Sequence, residues 1–119
     1  MLKYHEIEQV LIAEPGDENI VISDVQEMLD LMGDAGAAGC NRMIIREQNL
    51  HPDFFRLHTG LAGEILQKFS TYDFMLAIIG DFAKYESKSL HDFIRESNKG
   101  NRIFFLGNIE DADRKLKLR

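Results

Sequence analysis

Apolar and polar positions alternate along this chain in blocks that predict strands and helices in turn. Near the start, residues 4–7 and 10–13 have the character of short strands. We expect these two segments to form a tight antiparallel pair. A Pro-Gly-Asp turn signal at 15–17 separates them from residues 19–22, which we predict to be another short strand.

The first helix is predicted between a serine and a glycine. Ser23 and Gln26 have the spacing of a capping box, with the hydroxyl at the N-cap and the amide three residues later. Gly33 is expected to end the helix, because glycine accepts the left-handed conformation at low cost. The apolar positions between them follow the spacing of one helical face, at 25, 28, 29 and 32.

Three apolar runs farther along the chain predict the strands of a parallel sheet. They cover residues 43–45, 74–79 and 103–106, and the second is the most apolar segment of the chain. Strands of a parallel sheet are buried on both faces and therefore read as continuous apolar runs. We expect the run at 74–79 to be the central strand.

Three more helices are predicted between and after these strands. One covers residues 53–69 and has an apolar stripe. The next is capped by Ser87 or Ser89, turns Phe93 inward and ends at Gly100. The last begins at Asn108, which has an aspartate three residues later. The alternation of strands and helices predicts an α/β fold with right-handed crossovers. We expect a small, mostly parallel sheet with an N-terminal antiparallel strand pair and about four helices.

Length and charge limit the class of protein. The 119 residues, 45% hydrophobic and 29% charged, are typical of one soluble globular domain, predicted over 1–119. The net charge of −6, from 20 acidic and 14 basic residues, weighs against nucleic acid and membranes as partners. We therefore interpret Lys88, Arg95 and Lys99, which share a helical face, as solvated rather than as a nucleic-acid stripe.

Cysteine usage and the N-terminus suggest a cytosolic protein. The N-terminal sequence MLKYHEIEQ has no apolar region of the kind that a secretory signal carries. The single cysteine, Cys40, cannot form an internal disulfide or a CxxC pair. Since no activating base is near it in the sequence, we interpret Cys40 as a small buried residue rather than a nucleophile.

No strong enzyme signature is present in the sequence. It contains no P-loop, no GxGxxG and no GxSxG motif. None of the four histidines forms an i, i+4 pair of the zinc-hydrolase kind. We therefore predict no catalytic residue, no metal site and no cofactor.

Polar residues nevertheless collect where a ligand would bind. In open α/β sheets, ligands lie beyond the carboxyl ends of the strands. This edge and its loops carry Glu47, Asp81, Lys84, Lys88 and Ser89. Carboxylates and helix N-termini there could hold a metal ion and a phosphate. The other explanation is that helix capping by itself requires polar residues at such positions.

Two glycines stand close together in the predicted second helix. Glycine inside a helix costs about 0.5–1 kcal/mol relative to alanine. Gly60 and Gly63 therefore suggest a close approach to the sheet or to another chain, or a helix that starts near Thr59.

Two long motifs carry a resemblance to a known family. HPDFFRLHTGLAGEILQKFSTY at 51–72 and GDFAKYESKSLHDFIRESNKG at 80–100 resemble a bacterial family of small single-domain proteins of unknown function. The resemblance covers nearly the whole chain and implies an α/β domain without an assigned activity.

The order of elements is also similar to the STAS fold of anti-sigma-factor antagonists. In those proteins a strand leads into Asp-Ser-Ser-Gly-Leu-Gly, where the second serine is phosphorylated. The corresponding segment here is Leu57-His58-Thr59-Gly60-Leu61-Ala62, so the resemblance implies Thr59 as a regulatory switch residue. Leu57 and His58 stand in place of the Asp and the first Ser, and the preceding loop is longer.

These observations support two functions. The first is a non-enzymatic regulatory or protein-interaction domain, STAS-like in fold, whose partner is another protein. The second is a small-molecule or phosphate-binding protein, or an enzyme, that uses Glu47, Asp81 and Lys88.

Overall fold

A five-stranded mixed sheet forms the centre of the protein in a computed structural model that describes residues 1–118. The strands follow one another across the sheet in chain order. The first two pair antiparallel and the remaining neighbours pair parallel. The strands are β1 Leu2–Ile7, β2 Val10–Pro15, β3 Arg42–Arg46, β4 Met75–Ile79 and β5 Ile103–Leu106. The structure confirms the predicted α/β class, but the central strand is β3 and not, as expected, the apolar run at 74–79.

Four α-helices lie within residues 1–118: α1 Val25–Ala37, α2 Leu61–Thr71, α3 Lys88–Lys99 and α4 Ile109–Leu116. Crossovers of one hand between successive neighbouring strands place their helices on one face of the sheet. Accordingly α1, α2 and α3 pack on one face, and α4 covers the other. None of these helices is long and apolar enough to cross a membrane.

The sheet separates two apolar layers because side chains alternate along each strand. On the larger side, Met43 and Ile45 of β3 pack with Ile65 and Phe69 of α2. On the smaller side, Ile44 packs with the buried residues of α4. The middle residues of β3, β4 and β5 are buried, as the apolar runs predicted.

The prediction of a strand over 19–22 is wrong. Only Ile22 forms an isolated bridge, to Leu50. The buried side chain of Asn49 explains the loop, because its amide nitrogen donates to the carbonyl oxygens of Ile20 at 2.8 Å and Asp17 at 3.4 Å. The carbonyl group of Ile20, which a strand over 19–22 would direct to a neighbouring strand, is therefore bound by a side chain instead.

The first helix begins and ends later than predicted. Its N-cap is Asp24 rather than Ser23, and the Asp24 carboxylate accepts from the backbone N–H of Glu27 at 2.8 Å. The backbone N–H of Ser23 donates to the Glu27 carboxylate at 2.6 Å. The helix passes through Gly33 to Ala37, since Ala35 continues the buried face and tertiary packing outweighs the low helix propensity of glycine.

The prediction of one continuous helix over 53–69 is also wrong. Two short 3₁₀ turns, Pro52–Phe55 and Leu57–Thr59, precede α2. Gly60 separates them from the helix with φ of +82°, a left-handed conformation that glycine adopts without strain. The need for a left-handed backbone conformation explains why a glycine occupies position 60. Apart from its chain neighbours and the backbone of its own helix, no heavy atom of residues 1–118 lies within 4 Å of a Cβ placed on Gly63, so internal packing does not explain that glycine.

The later caps agree with the sequence. The Ser87 hydroxyl accepts from the N–H of Leu90 at 3.1 Å, and Asn108 accepts from that of Asp111 at 2.8 Å. Gly100 is the C-cap of α3. Cys40 is buried, as expected, and its Sγ donates to the carbonyl oxygen of Leu11 at 3.3 Å.

Candidate functional site

The candidate site lies where β3 and β4 end. Glu47 directly follows β3, and residues 80–87 connect β4 to α3. The two 3₁₀ turns before α2 border the same edge, through Phe55. We call Glu47, Phe55, Asp81, Lys84 and Tyr85 the carboxyl-edge site.

Glu47 is the centre of this site. Its side chain is only 14% exposed. One carboxylate oxygen, Oε2, accepts from the Tyr85 hydroxyl and lies 2.8 Å from Nζ of Lys84. The other, Oε1, accepts from the backbone N–H of Asp81 at 3.3 Å. All three donors come from the loop between β4 and α3, so Glu47 ties that loop to the end of β3.

The contacts of Glu47 determine the protonation states of Glu47 and Tyr85. Burial by itself would raise the pKa of the Glu47 carboxyl, but the hydrogen bonds from Lys84, Tyr85 and Asp81 outweigh it and hold the pKa below its ordinary value. Burial, together with the adjacent Glu47 carboxylate, raises the pKa of the Tyr85 hydroxyl. At neutral pH Glu47 is therefore charged and Tyr85 is a neutral donor.

Gly80 allows the loop to approach Glu47. A Cβ placed on Gly80 would lie 2.7 Å from Oε1 and 2.8 Å from Cβ of Glu47. Any side chain at this position would displace the carboxylate from its donors. Gly80 is thus a steric requirement of the site, which the sequence analysis did not identify.

The remaining predicted site residues are more dispersed. The carboxylate of Asp81 is exposed, and only its backbone N–H contacts Glu47. Lys88 is 88% exposed on α3 and pairs with Asp92 at 2.8 Å. Ser89 borders a groove beside the site. No group of three or more metal-ligating side chains occurs in residues 1–118.

An aromatic pair missed by the sequence analysis forms the apolar part of the site. The rings of Phe55 and Tyr85 stack with centroids 5.2 Å apart and planes at 18°. A groove lies on each side of this stack. One runs between residues 55–58 and 85–89. The other is bordered by Val21, Leu50 and Pro52. Only the spacing of aromatic residues in the two long motifs could have indicated this pairing.

Thr59 lies next to the first groove, directly after His58. It is exposed, and its hydroxyl lies 2.8 Å from the carbonyl oxygen of Asp53 and 2.9 Å from that of Arg56, either of which can accept its proton. The same oxygen accepts from the N–H of Leu61 at 3.3 Å. Thr59 therefore joins the 3₁₀ turns to the start of α2.

A second group of charges surrounds Glu14 at the end of β2. Glu14 is 5% exposed, and its Oε1 lies 2.6 Å from Nη1 of Arg46. Lys3 lies 3.9 Å away, and Nδ1 of His5 lies 3.6 Å from the other oxygen. This cluster joins β1, β2 and β3 and is separate from the carboxyl-edge site.

Replacing Glu47 by glutamine should lower the free energy of unfolding by about 1–2 kcal/mol at pH 7. A neutral amide then replaces the charged carboxylate that accepts these hydrogen bonds, and the bonds become weaker. The pKa of Glu47 is lowered in the folded state, so its stabilisation is present above the unfolded pKa and is lost as pH falls through the folded pKa. Urea unfolding of the parent and of Glu47→Gln should therefore show a difference in the free energy of unfolding. This difference should shrink below about pH 4.5, the ordinary pKa of this carboxyl.

Glu86→Gln is the matched control for this measurement. Glu86 is exposed in the same loop, and its side chain makes no ion pair or hydrogen bond within residues 1–118. Its replacement should leave stability within about 0.5 kcal/mol of the parent. Equal losses in the two variants, or a Glu47→Gln difference that does not change between pH 7 and pH 3, would contradict the role assigned to Glu47.

Comparison with known proteins gives one match. The sequence model of a protein family, described as Domain of unknown function (DUF4180), matches residues 7–116. No curated protein and no solved structure matches the chain. The expectation of a family of unknown function is therefore confirmed, whereas its bacterial origin and the similarity to the STAS fold stay predictions.

Proposed function

This chain belongs to the DUF4180 family, and we propose that it is a non-enzymatic regulatory domain, STAS-like in fold, that binds a partner protein at the carboxyl-edge site. Both grooves beside the Phe55–Tyr85 stack belong to the proposed binding surface.

The observation that carries this proposal is the exposed apolar character of the site. Val21 is 45% exposed at the rim of one groove, next to Leu50 and Pro52. Leu57 is half-buried at the rim of the other. Contiguous apolar patches that remain in contact with solvent mark sites of interaction with other proteins. The stacked rings connect the two grooves into one surface.

The state of Glu47 supports binding rather than catalysis. A general base is most effective when its pKa lies near the operating pH, whereas the pKa of the Glu47 carboxyl is held below its ordinary value. Both oxygens of Glu47 accept from protein groups, and Lys84 neutralises its charge. We interpret Glu47 as the residue that holds the β4–α3 loop in the conformation that a partner recognises.

The alternative is a small-molecule or phosphate-binding protein, or an enzyme, that uses the same edge. Lys84 and Ser89, together with Asp81 and Lys88, would supply its polar contacts. The position of Ser89 at the groove favours this alternative. A retained metabolite, found by mass spectrometry of the purified protein, would support it.

Thr59 is the proposed regulatory position of the surface. A phosphate there would add about 1.5–2 negative charges close to the start of α2, where the helix dipole favours negative charge. Thr59 is an exposed residue, and a phosphate on its oxygen would replace the hydrogen that the hydroxyl donates to Asp53 or Arg56. Such a charge would change the surface that a partner contacts while leaving the fold intact.

The test is affinity capture from the source organism with the wild-type protein and two variants, followed by binding measurements with the purified partner. Val21→Asp places a charge on the apolar surface and should weaken binding about tenfold or more, since a buried unpaired charge is unfavourable. Leu118→Asp is the control, because Leu118 is an exposed apolar residue outside the site. A partner captured equally by all of these proteins would contradict the proposed surface.

For Thr59 the expected results differ between two substitutions. Thr59→Glu should fold normally and lose the partner. Thr59→Ala should keep the partner and lose about 1 kcal/mol of stability, since a backbone N–H loses its acceptor. Circular dichroism checks that each variant folds, and titration calorimetry measures its affinity for the partner. Equal affinity of folded Thr59→Glu and wild type would exclude the switch.

A further inference from the structure

A cavity lies at the amino ends of the parallel strands, at the opposite end of the sheet from the carboxyl-edge site. Its volume is about 360 Å³, within the range that small-molecule sites occupy. Residues at the starts of β3, β4 and β5 and in the last turn of α4 border it. We call it the amino-edge cavity, and its lining includes Arg42, Asp73, Met75, Arg102, Phe104 and Lys115.

The charge of this cavity is opposite in sign to that of the whole chain. Three of its lining side chains are cationic, those of Arg42, Arg102 and Lys115, and one is a carboxylate, that of Asp73. The lining therefore has a net charge of +2, whereas the chain has a net charge of −6. Asp73 pairs with Arg102 at 3.2 Å but is 87% exposed, so solvent weakens this attraction. The cavity therefore favours an anion.

Backbone carbonyl groups hold the two arginines in place and leave donors for a ligand. Nε of Arg42 donates to the carbonyl oxygen of Leu116, at the end of α4. Nη1 of Arg102 donates to the carbonyl oxygens of Phe69 in α2 at 3.3 Å and Phe74 at 3.0 Å. These bonds also offset the partial negative charge at the C-terminal ends of α2 and α4. A guanidinium carries five N–H groups, and within residues 1–118 only Nη1 of Arg102 has acceptors. Its Nε and Nη2 can therefore donate to a bound anion.

Lys115 brings the third positive charge beside an aromatic ring. Its Nζ lies 5.4 Å from the centroid of the Phe104 ring. No carboxylate of residues 1–118 forms an ion pair with it. Phe104 is only 4% exposed, so its ring is fixed by packing, and Met75 lies in the same lining. The cationic groups thus border an apolar surface on which a flat group can lie.

We propose that the amino-edge cavity binds a small phosphate monoester that carries an apolar ring. The phosphate accepts from Arg42, Arg102 and Lys115, and the ring lies against Phe104 and Met75. A phosphate monoester has about −1.5 to −2 charges at pH 7 and three acceptor oxygens. This matches a lining of net charge +2 whose three cationic side chains come from three segments of the chain. A carboxylate has one charge and two oxygens, so it matches the lining less well.

The inference does not depend on the function proposed for the carboxyl-edge site. The amino-edge cavity shares no lining residue with either groove beside the Phe55–Tyr85 stack. Glu47 directly follows β3, whereas Arg42 is the first residue of that strand. A ligand at one end of the sheet therefore leaves the other end accessible to a partner.

The test measures the binding of three probe compounds to the full chain by titration calorimetry. Phenyl phosphate combines the phosphate with an aromatic ring, inorganic phosphate lacks the ring, and benzoate carries the ring with a single negative charge. Phenyl phosphate should bind about tenfold tighter than either of the others. In amide NMR spectra it should shift the signals of Gly100 and Asn101, which line the cavity, and leave those of Asp81 and Tyr85 unchanged.

Two substitutions of exposed residues should change the affinity for phenyl phosphate in opposite directions. Lys115→Gln removes a cationic group of the lining and should weaken binding about tenfold. Arg114→Gln is the matched control, because it removes the same charge from the neighbouring position of α4 outside the lining, and it should change affinity less than about twofold.

Asp73→Asn removes the carboxylate of the lining and should strengthen binding about threefold or more. Asp73 has φ of 58°, a left-handed conformation that asparagine also adopts, so the backbone is retained. A gain in affinity cannot result from partial unfolding, and this variant therefore tests the charge of the cavity directly.

Several results would overturn the proposal. Absence of binding at millimolar phenyl phosphate would exclude the site. Equal affinities for phenyl phosphate and inorganic phosphate would indicate charge attraction without a contact for the ring, and equally tight binding of benzoate would exclude a requirement for phosphate. Equal affinities of folded Lys115→Gln and Arg114→Gln, or no gain in Asp73→Asn, would place the binding elsewhere. None of these results bears on partner capture at the carboxyl-edge site, which Val21→Asp tests separately.

Discussion

Replacing Phe69 by alanine should lower the free energy of unfolding by about 3–5 kcal/mol, because it leaves a cavity in the centre of the larger apolar layer. Phe69 is 0% exposed on α2. Its ring meets that of Phe74 edge to face, with centroids 6.0 Å apart. The loss therefore includes an aromatic contact in addition to buried area. Urea unfolding followed by circular dichroism measures it.

Phe93→Ala is the comparison for this experiment. Phe93 is only half-buried on α3, although its ring also contacts another ring, that of Phe105 at 6.0 Å. Phe93 buries less apolar area than Phe69, so we expect its replacement to lower the free energy of unfolding by about 1–2 kcal/mol. If the two variants were equally stable, the placement of Phe69 at the centre of the larger apolar layer would be wrong.

Replacing Arg46 by methionine should cost about 3 kcal/mol. Glu14 is almost completely buried, and Arg46 provides its shortest ionic contact, at 2.6 Å. Removal of Arg46 leaves the buried carboxylate of Glu14 without its closest ionic partner, in surroundings that solvate a charge poorly. Methionine retains much of the length of the arginine side chain, so the loss reports mainly on charge. Thermal and urea unfolding at pH 7 measure this loss.

Two further variants separate this effect from general sensitivity of the region. Lys3 lies 3.9 Å from Glu14 and is 65% exposed, so Lys3→Met should cost less than about 1 kcal/mol. Glu14→Gln combined with Arg46→Met should recover part of the loss, since no buried charge is then left without its partner. Absence of any recovery would show that Arg46 acts through packing and not through its charge.

The parts of the fold that the sequence predicted correctly depend on local patterns. Residues 103–106 read as a strand because all four are apolar, and Asn108 predicted the start of α4 because an aspartate follows at capping distance. The errors arise where distant contacts decide. Asn49 fixes residues 17–20 as a loop from 29 positions away or more. Similarly, burial of Ala35 extends α1 beyond the glycine that was expected to end it.

The candidate site shows the same division. The rule that ligands lie at the carboxyl ends of parallel strands indicated Glu47 and Lys84, which the structure places 2.8 Å apart. Tyr85 and Phe55 were missed, because their contact joins segments 30 residues apart and depends on the path of the β4–α3 loop. Gly80 was missed for a related reason. The steric need for a glycine becomes visible only when the Glu47 side chain is placed.

The order of the strands has a consequence for how the chain acquires its structure. In the sheet of residues 1–118, each strand after the first pairs with the strand immediately before it in the chain. Because neighbours in the sheet are also consecutive in the chain, each parallel pairing closes a single crossover connection and no strand has to be inserted between two that have already paired. During synthesis, the neighbour of each new strand has therefore already been made when that strand leaves the ribosome. The sheet can therefore grow in one direction from the N-terminal hairpin, one crossover unit at a time.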